Sequence, residues 1–312
     1  MARNRQRRFR RAFLLPDGIA AEFRKAAESS MGKTTINWCD LTFNPWEGCT
    51  RVSPACVHCY AEARDQRHLT EAVDHWGPGA PRRTTSDQSW RKPIAWNRQA
   101  ARSGERLRIF CASLGDVFDH EAPVGQRERL WELIRSTHHL DWLLLTKRTQ
   151  NIRLMLPGDW GDGYTNVWLG ATCENRRHGV PRIEELRQIP AVVRFLSCEP
   201  LLEDLGNLDL TGIDWLIVGG ESGAEARPFD IQWAKNLVSQ CEEQGVAPWV
   251  KQLGRRPSSG GKELVITTEK GRRSGHAGDL DRWPDLLAEL KVRQLPIPRM
   301  LAVRDEEVEV GV

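Results

Sequence analysis

Residues 48–62 read Gly-Cys-Thr-Arg-Val-Ser-Pro-Ala-Cys-Val-His-Cys-Tyr-Ala-Glu, with cysteines at positions 49, 56 and 59. The apolar segment Thr35–Trp38 before this stretch predicts a strand, and Tyr60–His68 at its end predicts a helix. A strand, a cysteine-rich loop and a helix in that order are typical of a ligand site at the carboxyl end of a parallel strand. The cysteine loop is therefore the predicted centre of the fold.

Three cysteines are one fewer than a closed metal site needs. A structural zinc site takes four ligands, whereas three ligands leave one coordination position open. Cys49, Cys56 and Cys59 therefore predict a [4Fe–4S] cluster in which one iron has no protein ligand. The alternatives are a zinc site completed by Cys39 or His58, and buried thiols without a ligand. Eight cysteines in 312 residues of ordinary apolar content do not indicate a disulfide framework.

Charge is distributed unevenly along the chain. Residues 1–30 carry eight Arg and Lys against three Asp and Glu, a net +5, so the remainder sums to −2. We expect a basic, disordered extension over 1–30, a (β/α) domain over 31–255, and a C-terminal extension over 256–312 with a short strand over 263–267 and a helix over 285–292. The basic extension predicts either phosphate contacts or a merely solvated segment. No apolar run is long enough for a membrane span and no signal peptide develops, so we expect a cytoplasmic protein.

Short apolar runs alternate with helical patterns beyond residue 100. The runs predict buried parallel strands, and their alternation with helices predicts βαβ units. Together with Thr35–Trp38 they make about seven strands, which predicts a partial (β/α) barrel open at one side, with a doubly wound sheet as the alternative. The predicted strands are Arg108–Ala112, Trp142–Thr146, Val167–Ala171, Val192–Ser197, Trp215–Val218 and Pro248–Lys251. The predicted helices are Gly125–Thr137, Gln150–Met155, Pro181–Gln188 and Ile231–Gln244.

A polar stretch over residues 76–93 separates the cysteine loop from these units and predicts a long loop. Several Arg residues lie in it, with Trp90 and Trp96 nearby. Aromatic and basic residues in alternation can stack on bases while they bind phosphates, or they can anchor a long loop. Both interpretations remain open at this stage.

Polar residues follow nearly every predicted strand, which is where a (β/α) barrel places its ligand site. A single Lys or Glu in such a position is more often part of a structural ion pair. A whole set of them predicts a polar cavity above the cysteine loop, because these residues are rarely buried unpaired. The set comprises Ser113, Gly115, Asp116, Lys147, Arg148, Glu174, Asn175, Glu199, Gly219, Gly220, Glu221, Ser222, Arg227 and Lys251.

Several short segments between residues 33 and 255 carry a family resemblance. They are Thr35-Ile36-Asn37-Trp38, Asn44-Pro45-Trp46-Glu47-Gly48-Cys49, Cys59-Tyr60-Ala61-Glu62, Leu145-Thr146-Lys147-Arg148, Cys198-Glu199-Pro200-Leu201, Gly219-Gly220-Glu221-Ser222-Gly223, Ala226-Arg227-Pro228 and Val250-Lys251-Gln252. In these segments the chain resembles the phage Gp37/Gp68 family (DUF5131). The cysteine loop is similar to the cluster loop of radical S-adenosylmethionine (SAM) enzymes, with C-x6-C-x2-C in place of their usual C-x3-C-x2-C.

The resemblance implies a radical SAM enzyme in which Cys49, Cys56 and Cys59 hold a [4Fe–4S] cluster. SAM would bind the free iron, and an electron from an external flavodoxin-like or ferredoxin-like donor would yield a 5′-deoxyadenosyl radical. The implied substrate is a DNA base or nucleotide, for modification (such as isomerisation in thymidine hypermodification) or repair, in the host cytoplasm if the gene is a phage's. A peptide or small-metabolite substrate is one alternative, and a zinc-stabilised nucleic-acid-binding module without catalysis is the other.

The resemblance also implies roles for the residues around the cluster. Backbone groups of Ser113, Gly115 and Asp116 would meet the amino group of SAM, and Glu174 and Asn175 would bind its ribose. SAM would also be positioned by Glu199, Gly219, Gly220, Glu221 and Ser222. An anionic group would be held by Lys147, Arg148, Arg227 and Lys251. The candidate catalytic residues are Cys173, Cys198 and Lys147. The alternative for Cys173 and Cys198 is a small buried residue beside a strand.

Overall fold

A sheet of seven parallel strands is the main element of the computed structural model, which describes residues 34–67, 73–266, 283 and 285–299. In chain order the strands are β1 (Leu41–Phe43), β2 (Trp46–Glu47), β3 (Arg83–Thr84), β4 (Leu107–Cys111), β5 (Leu140–Thr146), β6 (Val167–Thr172), β7 (Val193–Cys198), β8 (Trp215–Gly219), β9 (Phe229–Asp230), β10 (Ala247–Gln252), β11 (Pro257–Ser259) and β12 (Lys262–Glu263). The α-helices are α1 (Tyr60–Arg67), α2 (Asp87–Ser103), α3 (Gln126–Ser136), α4 (Thr149–Met155), α5 (Arg176–Arg187) and α6 (Ile231–Gln244), and short 3₁₀ helices cover Pro54–Cys56 and Asp285–Leu290.

The main sheet keeps its strands in chain order, β1, β4, β5, β6, β7, β8 and β10. A doubly wound sheet reverses its strand order at an internal switch point, so that alternative is excluded. Right-handed crossovers that always advance in one direction place the helices on one face of the sheet. Within the described residues the edge strands β1 and β10 are not hydrogen-bonded to each other. The predicted partial (β/α) barrel, open at one side, is therefore confirmed.

Aromatic side chains fill the inner face of this half-barrel. Trp215, on β8, contacts the rings of Trp38, Phe195 and Trp249 at centroid distances of 6.2, 5.8 and 5.8 Å. Gly170 belongs to the same packing, because a Cβ there would lie 2.3 Å from the Phe195 ring. Since these side chains occupy the interior along the strands, a ligand has room only at an open end of the half-barrel.

Six predicted strands are confirmed to within two residues at each end, but the first is wrong. Thr35–Trp38 precedes the sheet, and the first strand is Leu41–Phe43, which pairs with β4. Ile36 and Trp38 have the spacing of a strand's buried face. Trp38 instead packs inside the half-barrel with 2 % of its surface exposed.

Two helices contain a proline that obscured them in the sequence. Helix α2 lies partly within the stretch 76–93 that predicted a loop, and it contains Pro93. Helix α5 begins five residues before the predicted start at Pro181, which lies inside it. The ring of Trp90 on α2 is buried against Phe43 and lies 4.3 Å below the guanidinium of Arg129. Trp90 is thus a packing anchor and is not available for base stacking.

The C-terminal part attaches to the half-barrel through a small second sheet. Strand β11 pairs with β9 on one side and β12 on the other. The strand predicted over 263–267 is therefore only the short β12, and the helix predicted over 285–292 is a 3₁₀ helix over Asp285–Leu290. Residue 267 and the basic extension 1–30 lie outside the described residues. Among the described helices, none has both the length and the apolar character needed to cross a membrane.

Candidate active site

The carboxyl ends of parallel strands meet at one rim of a barrel. The cysteine loop leaves β1 at this rim, and the residues predicted to bind a ligand follow β4 to β10 around it. The sheet thereby brings together residues that are remote in the chain, such as His58 and Glu221, 163 positions apart and in contact. We call this rim the mouth of the half-barrel.

Cys49, Cys56 and Cys59 are partly buried, and none of them is in a disulfide. Cys49 and Cys59 both pack against a small buried cluster that contains Trp76 and Leu114. Cys59 directly precedes helix α1, so its backbone is held by the first turn of that helix. The loop thus presents three thiols that a cofactor at the mouth can reach.

Both candidates for a fourth zinc ligand, Cys39 and His58, have other partners. In the described part of the chain, no three His, Cys, Asp or Glu side chains converge as ligands of one metal ion. Both residues considered as a fourth zinc ligand are engaged elsewhere: Cys39 packs in the inner core and donates to the Ile36 carbonyl at 3.7 Å, and His58 bonds to Glu221. A four-iron cube binds each thiolate through a different iron and accepts three protein ligands.

Electrostatics around the thiols follow from burial and two cations. Burial raises the pKa of Cys49 to about 12, with a contribution from Asp116. Burial also raises the pKa of Cys59, against the opposing charge of Lys147. Both thiols are therefore protonated at neutral pH when no metal is bound, and iron binding must release those protons. Cations beside the thiols, Lys147 and Arg148, favour the thiolates and an anionic cluster.

A buried arginine holds the first part of the cysteine loop. Arg82 donates to Thr50 Oγ1 at 2.7 Å and to the Gly77 carbonyl at 3.1 Å, and its Nε donates to Asp119 at 3.1 Å. The Gly77 amide in turn donates to the Cys49 carbonyl at 3.0 Å. Because a guanidinium has five donors in a rigid plane, one side chain fixes several backbone segments around Cys49.

The far end of the cysteine loop is clasped by the loop after β8. Glu221 Oε2 accepts hydrogen bonds from His58 Nδ1 at 3.1 Å and from Arg227 Nε at 3.0 Å. Arg227 also donates to the Pro54 carbonyl at 3.1 Å. Burial opposes ionisation of Glu221, but the bonds from Arg227 and His58 outweigh it and lower its pKa. Glu221 and Arg227 thus hold the cysteine loop across the mouth, and their predicted contacts with SAM stay a prediction.

Glu199 and Lys251 form a pair at the ends of β7 and β10. Lys251 Nζ donates to Glu199 Oε1 at 2.6 Å, and Gln252 Nε2 donates to the same oxygen at 2.9 Å. Gly219 lies beneath this pair, since a Cβ there would be 3.2 Å from the Glu199 carboxylate. A Cβ on Gly220 would lie 2.9 Å from Leu253 O, so this glycine also permits a close approach to the backbone after β10. The two glycines therefore allow neighbouring protein groups to approach closely, and their contact with SAM stays a prediction.

The loop after β4 is strained and well anchored. Ala112 has φ +61°, in the left-handed region, and it is the only non-glycine residue with positive φ among those described. Ser113 Oγ accepts a hydrogen bond from Asn44 Nδ2 at 3.2 Å. A Cβ on Gly115 would lie 3.3 Å from the Gly48 carbonyl, so this glycine permits contact with the cysteine loop. Asp116 is 4 % exposed and bonds to Thr146 Oγ1 at 2.8 Å, which leaves it no free face toward a ligand.

The two polar residues after β6 contact other protein groups. Glu174 is fully buried and its Oε2 pairs with Arg182 at 2.6 Å. Asn175 caps helix α5, with its Oδ1 accepting from the His178 amide at 2.8 Å. These contacts give Glu174 and Asn175 structural roles, and their contacts with a ribose stay a prediction.

Cys173 and Cys198 lie on the face of the sheet that the helices cover. Both thiols are fully buried. Cys198 is hydrogen-bonded to Cys173, and it is close to Cys241 on helix α6. A Cβ on Gly179 of α5 would be 2.8 Å from the Cys173 sulfur. Since side chains alternate between the two faces of a strand, these thiols face the helices, and Ser197 faces the interior. Their predicted role as hydrogen-atom donors is not supported by this placement, which agrees with the alternative of small buried residues.

Sequence reasoning missed Tyr60 at the mouth and considered His58 only as a zinc ligand. Tyr60 is 54 % exposed, and its hydroxyl donates to the Ser113 carbonyl at 2.5 Å. His58 forms the clasp with Glu221 described above. Each lies immediately beside a loop cysteine, and that position was the available signal.

Fold and site together define an α/β half-barrel protein with a three-cysteine loop across its carboxyl mouth. The chain belongs to the family described as "Protein of unknown function (DUF5131)", which it matches over residues 33–284. This confirms the DUF5131 label that the motifs suggested. No curated protein matches the chain.

Solved structures with a similar chain path include spore photoproduct lyase. A mutant with bound AdoMet and dinucleoside spore photoproduct is 13% identical with a TM-score of 0.40, over 61% of this chain and 58% of that one. A complex with dinucleoside spore photoproduct is 12% identical with a TM-score of 0.40, over 68% and 64%. The alignment thus spans less than two thirds of those proteins. No property of this chain is inferred from so distant a likeness.

Proposed function

We propose that this protein is a radical SAM iron–sulfur enzyme acting on a nucleic-acid base. The observation that carries the proposal is the cysteine loop, which presents three partly buried thiols and extends from edge strand β1 to a clasp on the β8 loop. Cys49, Cys56 and Cys59 would hold the cluster. When bound and reduced by an external flavodoxin-like or ferredoxin-like protein, the cluster and SAM would supply a 5′-deoxyadenosyl radical for hydrogen abstraction.

The protein itself would bind and orient the cofactor and the substrate, and it would exclude water from them. The aromatic interior prevents a ligand from entering below the mouth, so cofactor and substrate must share the rim. Lys147, whose side chain has no ion pair in the part of the chain that the structure describes, is the cation free to meet an anionic group. The Glu199–Lys251 pair offers both charges beside it. The backbone of Ser113 and Gly115, the Gly219–Gly220 segment and Ser222 complete the proposed SAM-binding rim.

A basic face on helix α2 supports a nucleic-acid substrate. Arg91, Arg98 and Arg102 are exposed and follow each other at seven and four positions, so they lie on one side of the helix. Lys92 is exposed beside them, and among the described residues none of the four forms an ion pair. A row of unpaired cations binds phosphates by releasing counterions. Modification of a base, such as isomerisation during thymidine hypermodification, or its repair is the reaction we propose for this enzyme.

Anaerobic purification tests the enzyme class. We expect a brown protein with about four irons per chain, which releases 5′-deoxyadenosine from SAM when a reductant is added. The physical reason for this result is that three thiols would hold three irons of the cluster and leave the fourth iron free to bind SAM. A colourless protein that contains one tightly bound zinc and leaves SAM intact would contradict the proposal.

Salt-dependent DNA binding tests the substrate class. Replacing Arg91, Arg98 and Arg102 by Gln in the full chain should lower the slope of log K against log salt by about 2 to 3, since each phosphate contact contributes about 0.7 to 0.9. Fluorescence anisotropy with single-stranded and duplex DNA measures the slope. The matched control removes three exposed cations from other elements, Arg153, Arg177 and Lys262. Equal slopes for the two triple variants and the wild type would argue against this surface.

A further inference from the structure

Arg148 lies behind the cysteine loop and not in the mouth, although the sequence groups it with Lys147. Its guanidinium NH1 donates to Cys49 Sγ at 3.3 Å and to Asp116 Oδ2 at 2.9 Å. Its NH2 donates to the Thr50 carbonyl at 2.8 Å. The residue is 3 % exposed, so it has no surface left for an anionic substrate.

The surroundings of Arg148 keep its charge and its orientation constant. Asp116 accepts from Arg148 and from Thr146 Oγ1, and the same threonine oxygen accepts from the Arg148 amide at 2.9 Å. A second carboxylate, Asp119, lies 3.8 Å from NH2 but is shared with Arg82. A buried guanidinium so constrained cannot turn away from the sulfur, and little water screens its charge.

Such a contact has a chemical consequence if Cys49 ligates an iron. Hydrogen bonds to ligand sulfurs and net charge near a cluster help to set its reduction potential. Reduction adds one negative charge to the cluster, and a fixed cation that bonds to a ligand sulfur stabilises the reduced form more than the oxidised form. A carboxylate behind the cation opposes that effect.

We propose that Arg148 is a positioning residue that holds Cys49 and raises the reduction potential of the cluster, with Asp116 opposing it. The inference rests on the proposed function, because it presupposes a cluster on the three loop thiols. The proposal assigns different tasks to two neighbouring cations. Arg148 would act on the cluster through Cys49, whereas Lys147 would contact SAM or the substrate.

The test is a redox titration of the full chain, reconstituted anaerobically without SAM and followed by electron paramagnetic resonance. At the wild-type midpoint potential, Arg148→Gln should lower the ratio of reduced to oxidised cluster about tenfold, which is about 59 mV for one electron. Asp116→Asn should raise that ratio, because it keeps the shape of the side chain and removes the opposing charge. Arg148→Lys should restore most of the loss, since it keeps the cation.

Opposite shifts from two contacting residues separate this role from mere support of the fold. Arg106→Gln is the matched control: Arg106 pairs with Asp141 at 2.6 Å at the other end of the sheet and should leave the potential unchanged. Unchanged potentials, or shifts of the same sign, in iron-loaded Arg148→Gln and Asp116→Asn would overturn the inference alone. If Arg148→Gln fails to fold, the other two variants test the inference: Asp116→Asn should raise the potential and Arg148→Lys should keep it near that of the wild type. A wild-type chain that binds no iron would overturn the proposed function and this inference together.

Discussion

Replacement of Cys56 by alanine is expected to reduce bound iron from about four atoms per chain to nearly none. Two thiolates hold a cube far less firmly than three, and the neighbouring alternative ligand, His58, is engaged with Glu221. Cys56 is the most informative of the three, since Cys49 and Cys59 also pack against a buried cluster. Iron and sulfide analysis after anaerobic purification measures the loss.

The matched control for this variant is Cys241→Ala. Cys241 is fully buried on helix α6 and is not one of the three loop cysteines, so its replacement perturbs packing without removing a proposed ligand. This variant should keep the iron content of the wild type. Full iron loading of Cys56→Ala would show that the loop thiols are not the ligands, and loss of iron from both variants would point to general instability.

Replacement of Gly48 by alanine is expected to distort the cysteine loop and lower both stability and iron content. Gly48 has φ +108°, which L-residues rarely adopt, and a Cβ would lie 2.3 Å from the His75 carbonyl oxygen. Its amide donates to the Leu114 carbonyl at 2.9 Å, so the residue cannot move without breaking a contact with the β4 loop. Backbone strain alone costs about 1–3 kcal/mol, and the overlap with His75 adds to it. Urea unfolding and iron analysis measure the two effects.

Gly79 offers a control on the same stretch of chain. It has φ +73°, but nothing lies within 4 Å of the Cβ it would acquire. Gly79→Ala should therefore cost only the left-handed conformation, about 1–2 kcal/mol, and leave the iron content unchanged. If Gly48→Ala proved no more disruptive than Gly79→Ala, the close approach to His75 would not matter for the loop.

Local patterns explain the sequence predictions that were right. Runs such as Trp142–Thr146 and Trp215–Val218 are short and apolar because both faces of their strands are covered, so the strands could be placed within two residues. Local patterns also explain the errors. Ile36 and Trp38 carry a strand-like spacing, and a proline near the start of helix α2 resembles loop chemistry.

The direction in which a strand-end residue points was beyond the sequence. Cys173 and Glu174 follow a strand as Glu199 and Lys147 do, and Cys198 ends one, yet the two thiols face the helices and Glu174 pairs with Arg182. One position along a strand reverses the face of a side chain, and the irregular backbone after the strand removes even that regularity. Burial and partners are set by neighbouring strands, which are remote in the chain.

By itself the sequence determined six of the seven strands of the main sheet, the parallel half-barrel and the loop that carries Cys49, Cys56 and Cys59, since these depend on spacing and on residue type. Only the tertiary structure decided which polar residues form the mouth and which support it. It separated Lys147 at the rim from Arg148 behind Cys49, and it joined His58 to Glu221 across the opening. The physical reason is that a contact between side chains depends on the distances imposed by the whole sheet, and no local pattern records those distances.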